Sequence, residues 1–180
     1  MLIIDVPLTE SYDDEKQEFV VETSFRLELE HSLVSLSKWE QRHEKPFLSG
    51  EPKTAEETLW YIQAMALSDE VPPEVFSHLT NGNLEAINAY INSKMTATWF
   101  RESGPATQNR EIITGEVIYY WMLTLGIDKE CEHWHLNRLI TLVRVTNEKN
   151  APPKKLSRAE SARQRSLLNK QRQEQYQTRG

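Results

Sequence analysis

Residues 25–39, FRLELEHSLVSLSKW, contain the change of hydrophobic period that decides the fold. The first part, FRLELE, alternates apolar and charged residues, which is the period-2 pattern of a β-strand. After Ser32, apolar residues recur at Leu33, Leu36 and Trp39, the spacing of one face of an α-helix. The switch near residue 31 therefore predicts a small β structure before this point and a helical body after it.

The N-terminal part, residues 1–30, is predicted to be a small antiparallel β-meander packed on the helical body. Its short apolar or alternating runs lie at residues 2–6, 17–22 and 24–30. Pro7 is expected to end the first run, since proline lacks the N–H that a strand interior donates. The polar stretch at residues 11–16 can close a hairpin between the first two runs.

Residues 31–150 are predicted to form a single helical domain, which makes the fold class mainly α. Ser32 is a plausible N-cap for a helix ending near His43, and Thr54–Glu57 has the pattern of a capping box. Further helices are predicted at residues 74–79, after Asn83 as an N-cap, over residues 111–125, and from Asp128 through Val143.

The segment at residues 111–125 is the most apolar part of the chain, and Gly126 follows it as a C-terminal cap. Apolar residues on all sides predict a helix buried in the centre of the domain. The core is expected to centre on residues from this helix and the next: Ile113, Val117, Ile118, Trp121, Leu136, Leu139 and Ile140.

The charge is distributed unevenly along the chain. The 180 residues have a net charge of −6, but residues 151–180 contain eight bases and two acids. Residues 1–150 contain 13 bases and 25 acids. A basic tail of net +6 after an acidic body can be a solvated appendage, fold back, bind an acidic partner or contact nucleic acid. The tail is expected to be helical or disordered, because it has few apolar residues.

No apolar run reaches the ~18 residues of a membrane-spanning helix, and the first ten residues lack the pattern of a signal peptide. The single cysteine, Cys131, excludes an internal disulfide framework. On a continuous helix, Cys131 and His135 would share one face, and Asp128 or Glu132 could add a third ligand. Zinc needs three or four converging ligands, and two seldom make a structural site. We therefore expect no metal, no cofactor and no enzymatic activity, since no catalytic or phosphate-binding motif is present.

Candidate partner-binding residues are Trp39 and the bases of the tail. Trp39 lies in an amphipathic segment, where a core position is favoured and an exposed anchor for a partner is the alternative. The tail residues assigned to partner binding are Lys154, Lys155, Arg158, Arg163 and Arg165.

Several strings, taken in order, resemble a family of tail assembly chaperones from long-tailed, siphovirus-like bacteriophages. These strings are Leu29–Glu40, Lys45–Leu48, Lys53–Thr54, Ile91–Thr98, Val117–Met122, Trp134–Leu139 and Pro152–Lys155. The resemblance as a whole covers most of residues 1–170, but no string is a catalytic signature.

The resemblance implies a non-enzymatic protein of the infected host cytoplasm that is absent from the mature virion. Such chaperones bind the tape measure protein, keep it soluble and help recruit the tail tube protein. A virion structural protein of the tail or connector is one alternative. A nucleic-acid-binding protein acting through the basic tail is the other, although the acidic body makes nucleic acid the less favoured partner. Self-association into a homo-oligomer stays open.

Overall fold

The structure of the chain, a computed structural model, describes residues 1–14, 17–68, 70–100, 112–151 and 158–176. In chain order, the elements are strands β1 (Leu2–Asp13) and β2 (Glu18–Leu29), helices α1 (Leu33–His43), α2 (Ala55–Met65), α3 (Pro73–Ser77), α4 (Asn81–Ile91) and α5 (Gly115–Leu125), a 3-10 helix (Lys129–His133), and helices α6 (Leu136–Asn150) and α7 (Arg158–Tyr176). The mainly α class, with an antiparallel β structure at the N-terminus, is confirmed. The chain divides into two compact units, Met1–Asn147 and Glu148–Gly180, so the predicted boundary at residue 150 lies inside the second unit.

The N-terminal β structure is one long hairpin, and the prediction of a meander of short runs is wrong. β1 and β2 pair antiparallel from Leu2 opposite Leu29 to Asp13 opposite Glu18. β1 continues through Pro7, and the register shifts on both sides of Thr9. A two-stranded sheet consists of edge strands, in which proline and bulges are tolerated. Pro7 therefore disturbs the pairing without ending the strand.

The core lies between one face of this hairpin and the helices that follow it. Ile4 and Val6 of β1 and Leu27 and Leu29 of β2 are buried. Asp5, between the first two, and Arg26, just before Leu27, are exposed, and Glu28 is half-buried. This alternation is the period-2 pattern read from the sequence. Helix α1 supplies the adjacent layer with Leu33, Leu36 and Trp39, and α2, α3 and α4 add further buried side chains: Tyr61, Ile62, Met65, Val75, Phe76 and Ile87.

The predicted core centre is confirmed only in part. Ile118, Leu136 and Leu139 are buried. The other four predicted residues are partly buried: Ile113, Val117, Trp121 and Ile140. The prediction placed α5 in the centre of the domain, whereas the buried centre is α1 with the hairpin.

Helix α5 lies against α1 and exposes its opposite side, so the prediction of a fully buried helix is wrong. Its first residue, Gly115, is buried against α1, and a Cβ added there would lie 2.7 Å from Ser37 Oγ. On the other side, Leu123 is 81% exposed and Tyr120 is 63% exposed. The apolar residues all around α5 thus cover two surfaces, of which only one faces the core.

The prediction of one continuous helix from Asp128 to Val143 is also wrong. A 3-10 helix ends at His133, and α6 begins at Leu136. Between them, His135 forms a β-bridge with Ser32, and Leu136 N–H donates to the His31 carbonyl over 2.7 Å. These backbone contacts with the start of α1 replace the hydrogen bonds that would have continued the helix.

Two helix starts differ from the prediction by a few residues. The N-cap of α4 is Thr80, whose hydroxyl accepts from Asn83 N–H over 3.1 Å, while the Asn83 side chain accepts from Thr80 N–H. Asn83, predicted as the cap, is therefore the third residue inside the helix and the partner in a capping box. α3 is shorter than the predicted 74–79 and begins at Pro73, since proline is favoured in a first helical turn.

Candidate partner-binding groove

A groove of about 290 Å³ lies between α2 and α4. Its lining is mostly apolar or aromatic, with lysine, threonine and asparagine among the apolar side chains. The lining residues are Phe47, Lys53, Thr58, Tyr61, Ile62, Leu84, Ile87, Asn88, Ile91 and Asn92. A concave apolar surface with a few polar groups is the common form of a binding site in proteins.

The position of α2 along this groove is set by its N-terminal cap. The Thr54 hydroxyl accepts from Glu57 N–H, and the Glu57 carboxylate accepts from Thr54 N–H over 2.8 Å. Lys45 Nζ lies 2.7 Å from the other Glu57 oxygen. These bonds, that of Lys45 first, lower the pKa of Glu57 to about 2. The capping box predicted from the sequence is confirmed, and it directs Thr58, Tyr61 and Ile62 into the groove.

Lys53 places a positive charge in the lining of the groove. Its Nζ atom donates to the Phe47 carbonyl over 2.9 Å and lies 4.1 Å from the centre of the Phe47 ring. Burial lowers the pKa of this ammonium, while the nearby Glu57 opposes that shift. Ammonium groups over aromatic faces are attracted by the ring quadrupole, so the charge is held over the apolar lining.

The wall of the groove is fixed from behind by a buried polar cluster. The Tyr61 hydroxyl lies 2.6 Å from His31 Nδ1 and 3.4 Å from Ser35 Oγ. The His31 ring packs edge-on against the ring of His135, with 5.0 Å between centroids, and His135 Nε2 lies 3.0 Å from the Tyr90 carbonyl. The cluster thereby connects the start of α1 to α2, α4 and the start of α6.

The two histidines of this cluster are neutral near pH 7. Burial, and then the neighbouring His135, lowers the pKa of His31 from 6.5 to about 3. Burial also lowers the pKa of His135, and it raises the pKa of the Tyr61 phenol. Since His31 is 3% exposed and His135 is 4% exposed, these groups support the groove wall from the interior.

Trp39, assigned to partner binding from the sequence, does not lie at a surface. Its ring is 2% exposed, and its indole N–H donates to the Glu57 carbonyl over 3.0 Å. It packs against Phe47 with 5.1 Å between ring centroids. Trp39 therefore supports the groove from below, and its assignment as an exposed anchor is wrong because the stripe Leu33, Leu36 and Trp39 faces the core.

The basic residues assigned to partner binding are described only in part. Arg158 begins α7, and Arg163 and Arg165 are exposed along it. Lys154 and Lys155 lie outside the described residues.

Cys131 and His135 do not share a helix face. Cys131 lies in the 3-10 helix, where burial raises the pKa of its thiol, while His135 lies in the break before α6. Within the described part of the chain, no group of three or more His, Cys, Asp or Glu side chains is placed to hold a metal ion. The described residues also include no helix long and apolar enough to span a membrane.

Two surface features were missed from the sequence. The groove joins residues far apart in the chain, and no local pattern identifies such a pairing. The exposed side of α5 carries Tyr120 and Leu123, but apolar residues lie all around this helix, so its pattern does not show which side faces the core.

Comparison of the chain with family models, with curated proteins and with solved structures gave no match.

Proposed function

We propose that this chain is a non-enzymatic phage tail assembly chaperone that binds the tape measure protein, keeps it soluble and helps assembly of the tail tube. The proposal combines the sequence resemblance with one structural observation, the groove between α2 and α4. Under it, the protein acts in the cytoplasm of the infected host and is absent from the mature virion.

The groove supports this proposal because its form suits an amphipathic helix. A tape measure protein is a long helical chain, and its apolar stripe requires cover until the tail is built. Amphipathic helices bind by laying apolar side chains, spaced three or four residues apart, into a groove between other helices. Among the apolar residues of this groove, Ile62 from α2 and Leu84 and Ile91 from α4 line two sides of such a trough.

The buried cluster behind the groove supports binding by a preformed surface. Tyr61 is held by His31 and Ser35, and the Lys53 ammonium is held over Phe47. A site whose side chains are already fixed loses less conformational entropy when the partner binds. Many copies along one tape measure chain would also gain from high effective concentration, so each individual contact can be weak.

The nucleic-acid alternative is favoured by one observation. The described bases of α7 include Arg163, Arg165 and Arg172, which are exposed. Phosphate contacts of such residues release counterions, so binding to DNA would weaken steeply as salt increases. An assembly chaperone would instead keep its groove-dependent binding at moderate salt.

Filling the groove tests the proposal directly. Asn88→Trp places a large ring at an exposed position of the groove lining, and Asn147→Trp makes the same change at an exposed position of α6 outside that lining. We expect co-expressed tape measure protein to be soluble with the wild type and with Asn147→Trp, and to precipitate with Asn88→Trp. Equal solubility with all three proteins would contradict the assignment of the groove.

A further inference from the structure

The exposed side of α5 has no described partner and is both apolar and acidic. We define the α5 apolar face by Tyr120 and Leu123, which are 63% and 81% exposed and lie on one side of the helix. Residues 112–134, which contain this face and the 3-10 helix after it, hold four acids and one base. The acids Glu116 and Glu130 are exposed. A surface of this composition fits a partner that is apolar and basic.

Helix α7 has the opposite composition. Its 19 residues include five bases and two acids. Leu167 and Leu168 are 64% and 46% exposed, and every α7 side chain whose exposure is described is exposed. A helix of this length without packing is only marginally stable in water. An apolar surface that received Leu167 and Leu168 would therefore stabilise α7.

The charges of the two elements are arranged in a similar way around their apolar residues. On α7, Arg163 and Arg165 precede the leucine pair, and Lys170 and Arg172 follow it. Around the α5 apolar face, Glu116 precedes the exposed residues, and Glu130 follows them. Along the sequence, bases precede and follow the leucine pair of α7, and acids precede and follow the exposed residues of α5. Complementary charges of this kind favour association and help to fix its register.

We propose that α7 of one copy binds the α5 apolar face of a second copy of this chain. Exchange of an identical element between copies is a low-cost route to self-association, because the surface that is offered and the surface that receives it are present on every chain. The proposal goes beyond tape measure binding and does not depend on it. It concerns the purified chain alone.

Paired charge-reversal variants of the full chain test this inference. The first variant, Arg163→Glu with Arg165→Glu, reverses α7. The second, Glu116→Lys with Glu130→Lys, reverses the surroundings of the α5 apolar face. Light scattering at low salt should give at least twice the mass of 21.0 kDa for the wild type and the monomer mass for each variant alone. Mixing the two variants should restore a particle of two chains, since the reversed helix of one then matches the reversed face of the other.

Matched controls separate this effect from changes in net charge or folding. Lys38→Glu with Arg42→Glu, on exposed positions of α1, makes the same charge change as the α7 variant and should leave the mass of the wild type unchanged. Leu123→Ser should raise the dissociation constant roughly tenfold or more, while Leu67→Ser, at another exposed leucine, should leave it unchanged. Circular dichroism establishes that each variant is folded.

A wild type that stays monomeric at low salt would overturn the proposal. Two folded variants whose mixture stays monomeric would overturn it as well, because α7 would then bind within its own chain or not at all. Failure of tape measure binding would leave these masses unchanged, so the two proposals fail separately.

Discussion

The Glu40 carboxylate on α1 accepts a hydrogen bond from the backbone N–H of Gly115, the first residue of α5, over 2.7 Å. Its other oxygen accepts from Phe47 N–H over 2.8 Å. A buried carboxylate is stabilised by such donors, and one side chain thus joins α1, α5 and the loop that carries Phe47 into the groove. The contact also fixes how closely α5 approaches α1.

Gly115→Ala should therefore destabilise the protein. The added Cβ would lie 3.1 Å from Glu40 Oε2 as well as close to Ser37 Oγ, so α5 would have to move away from α1. We expect a loss of about 1–3 kcal/mol in the free energy of unfolding, measured by chemical denaturation. Gly82→Ala is the matched control, because its Cβ would meet only Thr80 Oγ1 at 3.8 Å. That change, inside α4, should be neutral or stabilise by up to about 1 kcal/mol. Equal losses for both variants would contradict the close packing of α5 on α1.

A pair of leucines tests the assignment of helix faces. Leu139 of α6 is fully buried, whereas Leu123 of α5 is 81% exposed. Leu139→Ala should cost about 2–5 kcal/mol, and Leu123→Ala should cost less than about 0.5 kcal/mol. Both losses in the free energy of unfolding are measured by denaturant titration. A loss below about 0.5 kcal/mol at Leu139 would show that the face of α6 is assigned wrongly.

Stability should fall as the solution becomes acidic, because of the buried histidines. The folded-state pKa of His31 is about 3, below its ordinary value of 6.5, so the unfolded chain binds the proton more readily. The contribution of the neutral His31 to the free energy of unfolding is complete above pH 6.5 and is lost as the pH falls toward 3. Within this window, proton binding by the unfolded chain at His31 lowers the free energy of unfolding by up to about 1.4 kcal/mol per pH unit.

The measurement is a series of denaturation curves between pH 7.5 and about 5, a range in which His31 remains neutral in the folded protein. His31→Gln retains a side chain that can bond Tyr61 but does not titrate, so its pH profile should be flatter than that of the wild type. His78→Gln, at an exposed histidine, should retain the slope of the wild type. Identical slopes for His31→Gln and the wild type would show that protonation of His31 does not control stability.

The sequence predicted those features of the fold that depend on local chemistry. The caps at Ser32 and Thr54 and the end of α5 at Gly126, which has φ +66°, agree with the structure. Alternation in FRLELE correctly identified a strand with one buried face. In each case the deciding interactions lie within a few residues, so the sequence pattern contains them.

The wrong predictions concern features that depend on contacts between distant parts of the chain. The break before α6 depends on the hydrogen bond from Leu136 N–H to the His31 carbonyl and on the β-bridge between His135 and Ser32, which lie about a hundred residues apart in the chain. The apolar pattern of α5 could not distinguish a core face from an exposed face. Two tryptophans illustrate the same difficulty. Both lie in short segments that mix apolar and polar residues, yet Trp39 is 2% exposed and Trp99 is 78% exposed. The groove between α2 and α4 likewise exists only after both helices have packed.

Removal of residues 151–180 should leave the rest of the chain folded. These residues follow the first unit, Met1–Asn147, and the described side chains of α7 are exposed. At low protein concentration, we expect the melting temperature of residues 1–150 to lie within about 4 °C of that of the full chain, since a shift of that size corresponds to ~1 kcal/mol. Unfolding of the truncated chain would show that the basic segment is part of the fold.

The central claim, that this chain is the chaperone of a tape measure protein, is tested most directly in infected cells. The tagged chain is captured before lysis, the bound proteins are quantified by mass spectrometry, and purified virions are analysed in the same way. The account predicts that the tape measure protein is the main partner captured with the wild type, that Asn88→Trp captures far less of it than Asn147→Trp, and that the chain is absent from virions. Capture without the tape measure protein, or a fixed number of copies of this chain in the virion, would contradict it.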